Sequence, residues 1–463
     1  MAENTEKEDF RDSISTVDKS GKRIWVFPKK PFGRYFNARA WLSYFLLIFF
    51  FTAPFIHING QPLLMLNIFE RKFVIFTFPF WPQDFFVFVL AMITLIVFIV
   101  LFTVVYGRLF CGWVCPQTIF MEMFFRRIEY WIEGDANQQR KLDKQEWNRD
   151  KIIKKGGKHI IFLVSAFAIG NTFMAYLVGR EKWLQIVTSS PIEHLAGFFG
   201  VIVFSMAFYG VFAFLREQVC TTICPYGRLQ GVLLDRDSIV IAYDWLRGEP
   251  RGKLKKNEPD PNLGDCIDCN LCVQVCPTGI DIRNGTQLEC INCTACIDAC
   301  DHVMDKIDKP RGLIRYASYN NIAEKKPFAW SPRMLGYTGV LIVLLFVLTG
   351  ALLTRTSVET TLLRAPGTLF RESSEGNISN IYTLQMVNKT SQTFEVELKL
   401  EGIDGKVTVA GGTPLVEAQS MYDGAVVIEI PKEKLESRKN KIQVGVYRDG
   451  KSIDIVKTQF LAP

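Results

Sequence analysis

Histidine is scarce in this chain: four in 463 residues, at His57, His159, His194 and His302. A b-type haem held in a membrane bundle needs axial ligands such as histidine projecting from mid-span, and none of the four falls there, so membrane haem is not expected. His57 and His194 fall near the outer ends of helices and could assist a metal there, although interfacial histidines of no special role are commoner. Cysteine is absent before Cys111 and after Cys300, while twelve crowd the interval between. Metal ligands are distributed in that way and bridges are not, because bridges also need an oxidising compartment. Met1 to Arg34 lacks an apolar core ahead of a small-residue cleavage site. No secretory signal peptide is expected, and the first hydrophobic helix is left to do the targeting. Charge is low as well, at 22% against 49% hydrophobic residues with 37 phenylalanines. That balance belongs to a membrane protein of more than one domain. The net charge of +7 is spread over separate loops, so membrane lipid is expected as a partner and nucleic acid is not.

What the interval does contain is a double run of cysteines. Cys266, Cys269, Cys272 and Cys276 read C-x2-C-x2-C-x3-C-P, and Cys290, Cys293, Cys296 and Cys300 repeat the spacing thirteen residues on, with Asp301 where the first run has Pro277. Thiolates at this spacing hold cubane iron–sulfur clusters, three from one run and the fourth from the other. The expected ligand sets are therefore Cys266, Cys269, Cys272 and Cys300 for one [4Fe–4S] cluster and Cys290, Cys293, Cys296 and Cys276 for a second. Zinc sites favour two separated C-x2-C knuckles instead. Asp265 and Asp268 beside these ligands could tune a potential by their charge, but such residues are more often solvated turn positions.

Five stretches are long and apolar enough to be expected as membrane spans: Arg39–Ile58, Phe85–Tyr106, Ile160–Val178, Leu195–Leu215 and Leu335–Thr354. Leu63–Phe80 is interrupted by Glu70, Arg71 and Lys72 and reads as interfacial. Lysine and arginine number 8 in 1–37, 2 in 59–83, 11 in 107–158, 2 in 180–194 and 16 in 216–334. The positive-inside rule then puts the N-terminus and both cysteine-bearing loops in the cytoplasm of a bacterial inner membrane, and the C-terminal tail outside. The expected organisation is a cytoplasmic segment 1–38, a four-helix membrane core 39–216, and a cytoplasmic segment 217–334 holding a bacterial-type two-cluster ferredoxin module at about 257–305. A fifth transmembrane helix, 335–354, and a periplasmic domain, 355–463, follow.

The last segment changes in kind. Phe394–Leu400 alternates apolar and polar, further strand-like runs lie at Ala425–Ile430, Ile442–Val446 and Ile453–Val456, and Asp423-Gly424 and Asp449-Gly450 read as hairpin turns. An all-β sandwich of immunoglobulin type is expected, without the cysteine pair of antibody domains.

A second cysteine set lies in an internal repeat. Spans two and four end in Cys111-Gly-Trp-Val-Cys115-Pro116 and Cys220-Thr-Thr-Ile-Cys224-Pro225, 109 residues apart, each after a membrane hairpin. Two repeats of one hairpin would set the motifs side by side. Proline suits the first position of a helix. Cys115 and Cys224 are therefore expected at helix N-termini, where the dipole favours thiolate. One four-thiolate site of Cys111, Cys115, Cys220 and Cys224, holding copper(I) or an iron centre, is one reading. Two separate redox dithiols are a second, and buried cysteines packing as small hydrophobes a third.

Together the Phe110-Cys-Gly-Trp-Val-Cys-Pro-Gln117 stretch, the second C-x3-C-P, Arg247-Gly-Glu-Pro-Arg-Gly252 and the ferredoxin run resemble the cytochrome c oxidase accessory protein family CcoG, also called RdxA or FixG. The resemblance covers nearly the whole chain. It implies an inner-membrane iron–sulfur protein in the assembly of the C-type haem-copper oxidase, reducing Cu(II) to Cu(I) at the C-x3-C-P cysteines. It also implies partners: a copper-exporting P-type ATPase and oxidase assembly factors. An unidentified cytoplasmic electron donor is expected besides, to feed the clusters. Two rival readings remain. One is a quinol dehydrogenase of the NapH or NosR type, against which stand the C-terminal β-domain and the lack of a large flavin-binding domain ahead of the first span. The other is a non-catalytic redox-responsive scaffold, which would be reduced once where a reductase turns over.

Overall fold

Two long helices that are apolar on every side, and two more with one polar end, set the architecture of the chain. The computed structural model describes residues 16–463 except 19, 59, 70, 71, 254–261, 326, 357, 368, 369, 373–375 and 391. The start of the expected N-terminal segment, the first residues of the expected ferredoxin module, and Glu70 and Arg71 thus lie outside the described residues.

In chain order come α1 (Arg34–Thr52), α2 (Phe85–Tyr106) and α3, a continuous run of Pro116–Thr118, the π-helical Ile119–Phe125 and Arg126–Ile132. Then follow α4 (Arg149–Val178), α5 (Leu195–Gly210 with a π-helical end Val211–Leu215), α6 (Pro225–Leu233), α7 (Ala295–Lys306) and α8 (Pro332–Leu353). Among the described residues four helical stretches are long and apolar enough to cross a membrane: α2, α4, α5 and α8. The first of the five expected spans falls on α1, which starts earlier, at Arg34, and leaves helical geometry after Thr52, just ahead of Pro54. Arg39 near its start is 3% exposed. The third expected span starts eleven residues early, at Arg149 behind the N-cap Asn148, whose side chain accepts from the Lys151 amide. Its added turns carry Lys155 and Lys158, paired with Glu133 at 3.4 and 3.0 Å. Ion pairs rather than lipid hold that end.

The chain divides into two compact units, Met1–Ile56 with Met92–Leu345, and His57–Ala91 with Phe346–Pro463. In the first, Leu47 of α1, Phe120 and Phe125 of α3, Phe162 and Ile169 of α4 and Phe212 of α5 form one core. Phe125 stacks on Phe212 with centroids 4.6 Å apart. A Cβ on Gly170 would come within 2.4 Å of the Ser205 hydroxyl, so a small residue lets α4 and α5 close up. Beyond the bundle, Val240–Tyr243 pairs antiparallel with Ile314–Ala317 and closes the cysteine module between them.

The second unit joins a small antiparallel meander, Leu64–Asn67, Lys72–Ile75 and Phe78–Phe80, to the C-terminal β-domain. The stretch read as interfacial is this meander, turning at Phe76 and Thr77 with left-handed φ of 48° and 70°. The domain has strands β1 (Val358–Arg364), β2 (Asn377–Asn388), β3 (Glu397–Glu401), β4 (Lys406–Val409), β5 (Met421–Pro431), β6 (Lys439–Arg448) and β7 (Lys451–Leu461). One sheet runs β4-β5-β2-β1 and the other β3-β6-β7. Tyr382, Leu384, Val426 and Ile428 of the first pack on Ile442, Val444, Val446 and Phe460 of the second. Two expectations need correction here. Asp423-Gly424 is no turn: both residues sit within β5, opposite Gln385 and Leu384 of β2, because the longer apolar alternation on either side outweighs the local signal. The Phe394–Leu400 run is two strands, Phe394–Glu395 pairing with Leu415–Val416 while Glu397 onward joins β6. Asp449-Gly450 does turn the β6–β7 hairpin, with φ of 48° and 76°.

Within this unit Asp84, which is 5% exposed, receives 2.6 Å ion pairs from both Arg355 and Lys389. Burial alone would raise its pKa, but the hydrogen bonds from Arg355 and Lys389 outweigh it and hold the carboxyl below its usual range. The stabilisation is therefore present above the ordinary carboxylate pKa and is lost as pH falls through the depressed one. Removing one partner of such a buried set costs about 3–5 kcal/mol. Asp84→Ala should accordingly speed hydrogen exchange throughout β2 and β5, and unchanged protection would show that the triad carries no stability.

Candidate functional site: two cysteine-lined cavities and a thiol quartet

The two cysteine runs fold alike because their loops turn at matching positions. Asp268 and Asn270 of the first take left-handed φ of 52° and 56°, and Asn292 and Thr294 of the second take 54° and 68°. Asp and Asn tolerate that region better than most residues. Each loop then feeds a helix: Leu271–Gln274 carries Cys272, and α7 carries Cys296 and Cys300. One cavity is lined by Cys266, Cys269, Cys272 and Cys300. The other is lined by Cys276, Cys290, Cys293 and Cys296, with Cys272 in its wall as well. The two cavities are of nearly equal size.

The donor chemistry fits iron–sulfur clusters. Each cavity offers four soft sulfur donors inside an apolar shell, Tyr243, Met304 and Ile314 around the first and Ile241, Ile280 and Ile291 around the second. Among the described residues no three His, Cys, Asp or Glu side chains converge closely enough to enclose a single ion. The thiols surround spaces instead. Burial pushes the free Cys272 and Cys290 thiols up to about 12, so ligation as thiolate would release protons.

Asp265 and Asp268 are not simply solvated. Asp265 takes ion pairs from Arg247 and, at 3.0 Å, from Lys309, while Asp268 pairs with Arg283. Arg247, the first residue of the Arg-Gly-Glu-Pro-Arg-Gly stretch, also donates to the carbonyls of Pro310 and Arg311. It fastens the loop that precedes Cys266 to the far end of the module.

The structure brings the four C-x3-C-P cysteines together. Cys111 and Cys220 share one packed cluster, and Cys115 and Cys224 lie close enough to both for a thiolate there to raise their pKa. Cys115 and Cys224 are both N-cap residues, of α3 and α6, with Pro116 and Pro225 at the first helical positions. Burial pushes the Cys111 thiol up to about 11 and the Cys220 thiol up to about 12. Two of the histidines have other partners: His159 shares a 2.9 Å hydrogen bond with Tyr209, and His302 packs edge-on against Phe32.

Three residues that sequence reasoning passed over do much of the positioning. Arg108, just past α2, donates at 2.9 Å to Gln230 of α6 and also to the Leu288 carbonyl. Gln230 accepts from the Cys111 thiol at 3.1 Å. Gly112 lies against the second cysteine loop so closely that a Cβ would fall 2.4 Å from the Ile291 carbonyl oxygen and 2.8 Å from that of Asn292. Cys111, Ile291 and Cys293 consequently share one packed cluster, against which Cys220 also rests. The one signal for Arg108 in the sequence was a charge directly after a long apolar span.

Three regions match described families. Residues 88–135 match a "4Fe-4S binding domain", 215–319 a "4Fe-4S dicluster domain", and 348–463 the "IG-like fold at C-terminal of FixG", whose description treats FixG as a candidate oxidoreductase. Protein RdxB of Cereibacter sphaeroides is 35% identical over 395 residues, covering 82% of each chain. Nitrogen fixation protein FixG of Rhizobium meliloti is 33% identical over 460 residues, covering 89% of this chain and 85% of its own. Protein RdxA of Cereibacter sphaeroides is 33% identical over 419 residues, covering 87% and 86%. A crystal structure of a FixG-related protein from Vibrio parahaemolyticus overlaps 23% of this chain and 97% of its own, at 24% identity and a TM-score of 0.20.

Gly112 provides the test of this packing. Gly112→Ala should force the first C-x3-C-P loop off the second cysteine loop at a cost of about 1–3 kcal/mol. If Cys290, Cys293, Cys296 and Cys276 hold an iron–sulfur cluster, its electron paramagnetic resonance signal should change, and that of a cluster on the Cys266 set should not. Identical spectra in variant and parent would mean that the contact is slack.

Proposed function

The chain belongs to the RdxA/RdxB/FixG family, and from that premise we propose that it reduces Cu(II) to Cu(I) at its C-x3-C-P thiols in the service of C-type haem-copper oxidase assembly. The observation that carries this reading is the contact of the thiol quartet with the second cysteine loop through Gly112. Two [4Fe–4S] clusters, one held by Cys266, Cys269, Cys272 and Cys300 and the other by Cys290, Cys293, Cys296 and Cys276, would supply single electrons. The chain's own contribution is placement and selectivity. Cys272 in the wall shared by both cavities keeps the two ligand sets adjacent. Gly112 and Arg108 keep the second set against the quartet. Cys111, Cys115, Cys220 and Cys224 offer soft donors that favour the Cu(I) product over Cu(II). A cytoplasmic reductant provides one electron for each copper. The copper-exporting ATPase and the oxidase assembly factors would take the product.

The accompanying topology has five spans, α1 included, with the cysteines in the cytoplasm and the β-domain in the periplasm. The lysine and arginine distribution supports it. So does Asp84: this residue, immediately before α2, is ion-paired to Arg355 and Lys389 of the segment after α8. That pairing agrees with the α1–α2 connection and the C-terminal domain lying on one side of the membrane.

A second reading of the quartet is an iron–sulfur centre of its own. It is favoured by the match of residues 88–135, which include Cys111 and Cys115, to a 4Fe-4S binding domain, and by thiols that are neighbours without converging on one ion.

Anaerobic chain, reduced and freed of excess reductant, should convert Cu(II) to Cu(I) in the presence of a Cu(I) chelator. Replacing Cys111, Cys115, Cys220 and Cys224 with serine should abolish the conversion and leave the signals of the two-cluster module intact. Conversion at the parental rate would remove the quartet as the copper site. A fall of about four irons per chain in that variant would establish the second reading, given four irons per cubane.

A further inference from the structure

A cleft of about 620 Å³ opens between the first turns of α1 and the second half of α3, within one unit, and no cysteine lines it. Its walls carry three cations, Lys30, Arg39 and Arg127, and one carboxylate, Glu122. Glu122 is already engaged, 3.4 Å from Arg126. Arg39 and Arg127 have no carboxylate partner among the described residues. Arg39 is 3% exposed, yet one of its terminal guanidinium nitrogens has no hydrogen-bond partner. A buried donor left in that state costs about 1–3 kcal/mol, and more when charged. Arg127 stands over the rings of Tyr44 and Phe36, 4.9 and 5.4 Å from their centroids, and donates to the Tyr44 hydroxyl. Its pKa is lowered by burial and by the neighbouring charge of Arg39. Two guanidinium groups so placed repel one another until an anion joins them.

The position of the cleft narrows the class of anion. Trp41 and Trp131 on its rim are 75% and 79% exposed. Exposed tryptophans at the polar end of an apolar helix mark the depth of lipid headgroups. Further along α1, Phe45 and Ile48 are open to the outside, where acyl chains would lie, while Leu47 turns into the core.

We propose that this cleft binds the phosphodiester headgroup of an anionic phospholipid, with Arg39 and Arg127 gripping the phosphate oxygens and Trp41 and Tyr44 packing against the glycerol and upper acyl chains. Arginine suits the task because its planar fork matches phosphate geometry. Basic pockets between helices at the cytoplasmic face serve as sites of this kind.

The full chain, delipidated in neutral detergent, tests the proposal by native mass spectrometry and thermal shift. Phosphatidylglycerol should be retained and should raise the melting temperature at concentrations at least about tenfold below those at which phosphatidylcholine acts, a difference of about 1.4 kcal/mol. Arg127→Gln and Arg39→Gln should each abolish that preference. Should Arg39→Gln disturb folding, seen as loss of the module's iron, Arg127→Gln carries the test alone, since its side chain is only half-buried. Equal action of the two lipids would overturn the proposal. So would inorganic phosphate binding as tightly as phosphatidylglycerol, which would make the cleft a site for a free anion.

Discussion

Two buried arginines, each reaching out of one repeat into the other, hold the cysteine motifs in place. Arg108 ends the apolar helix of the first repeat and bonds to Gln230, behind Cys224 in the second. Arg216 ends the apolar helix of the second and pairs at 2.9 Å with Glu129, behind Cys115 in the first. Both arginines are 3% exposed. Arg216 reaches its partner from a strained left-handed backbone, φ 55°. Charges this deep are costly unless fully partnered, and breaking one pair is far more damaging than a surface pair would be. The reciprocal arrangement fixes the two C-x3-C-P turns against each other, and Arg126, Glu217 and Lys158 extend it into a network across α3, α4 and the end of α5.

With the quartet fixed, the order of sites along the chain's interior follows from packing. Cys111 and Cys220 contact the cluster of residues that holds Cys293, the Cys290 set shares a wall with the Cys266 set through Cys272, and the Cys266 set lies furthest from the quartet along this line. Apolar walls around both cavities limit water and so would shape the potentials of clusters held there. Asp265 and Asp268, neutralised by Arg247, Lys309 and Arg283, contribute structure to the outer set more than bare charge.

Much of this was legible in the sequence wherever chemistry fixes spacing. Ligand runs for a cluster have to be regular, so the cysteine spacing leads directly to two separate cavities with Cys300 and Cys276 exchanged between them. A proline after a cysteine has few places to go, and both cysteines became N-caps. Long-range terms were not legible. Nothing near Gly112 announces that the Ile291 carbonyl will press on it, and Gln230 looks like any polar residue on a short helix. The Asp423-Gly424 pair shows the opposite failure, a local turn signal overruled by eleven paired residues between β2 and β5. The beginning of α4 was missed because its lysines are answered by Glu129 on α3 and by Glu133 just past its end.

The central claim is that electrons reach the thiol quartet by way of the Cys290 set and not directly from the Cys266 set. Cys293→Ser removes one ligand from the nearer set and leaves all four of the farther set. The most direct measurement is anaerobic copper reduction by this variant, followed by chelator absorbance together with electron paramagnetic resonance. The account predicts that the Cys266-set signal persists in its reduced form while Cu(II) stays unreduced. Copper reduction at the parental rate with the Cys290-set signal absent would contradict it.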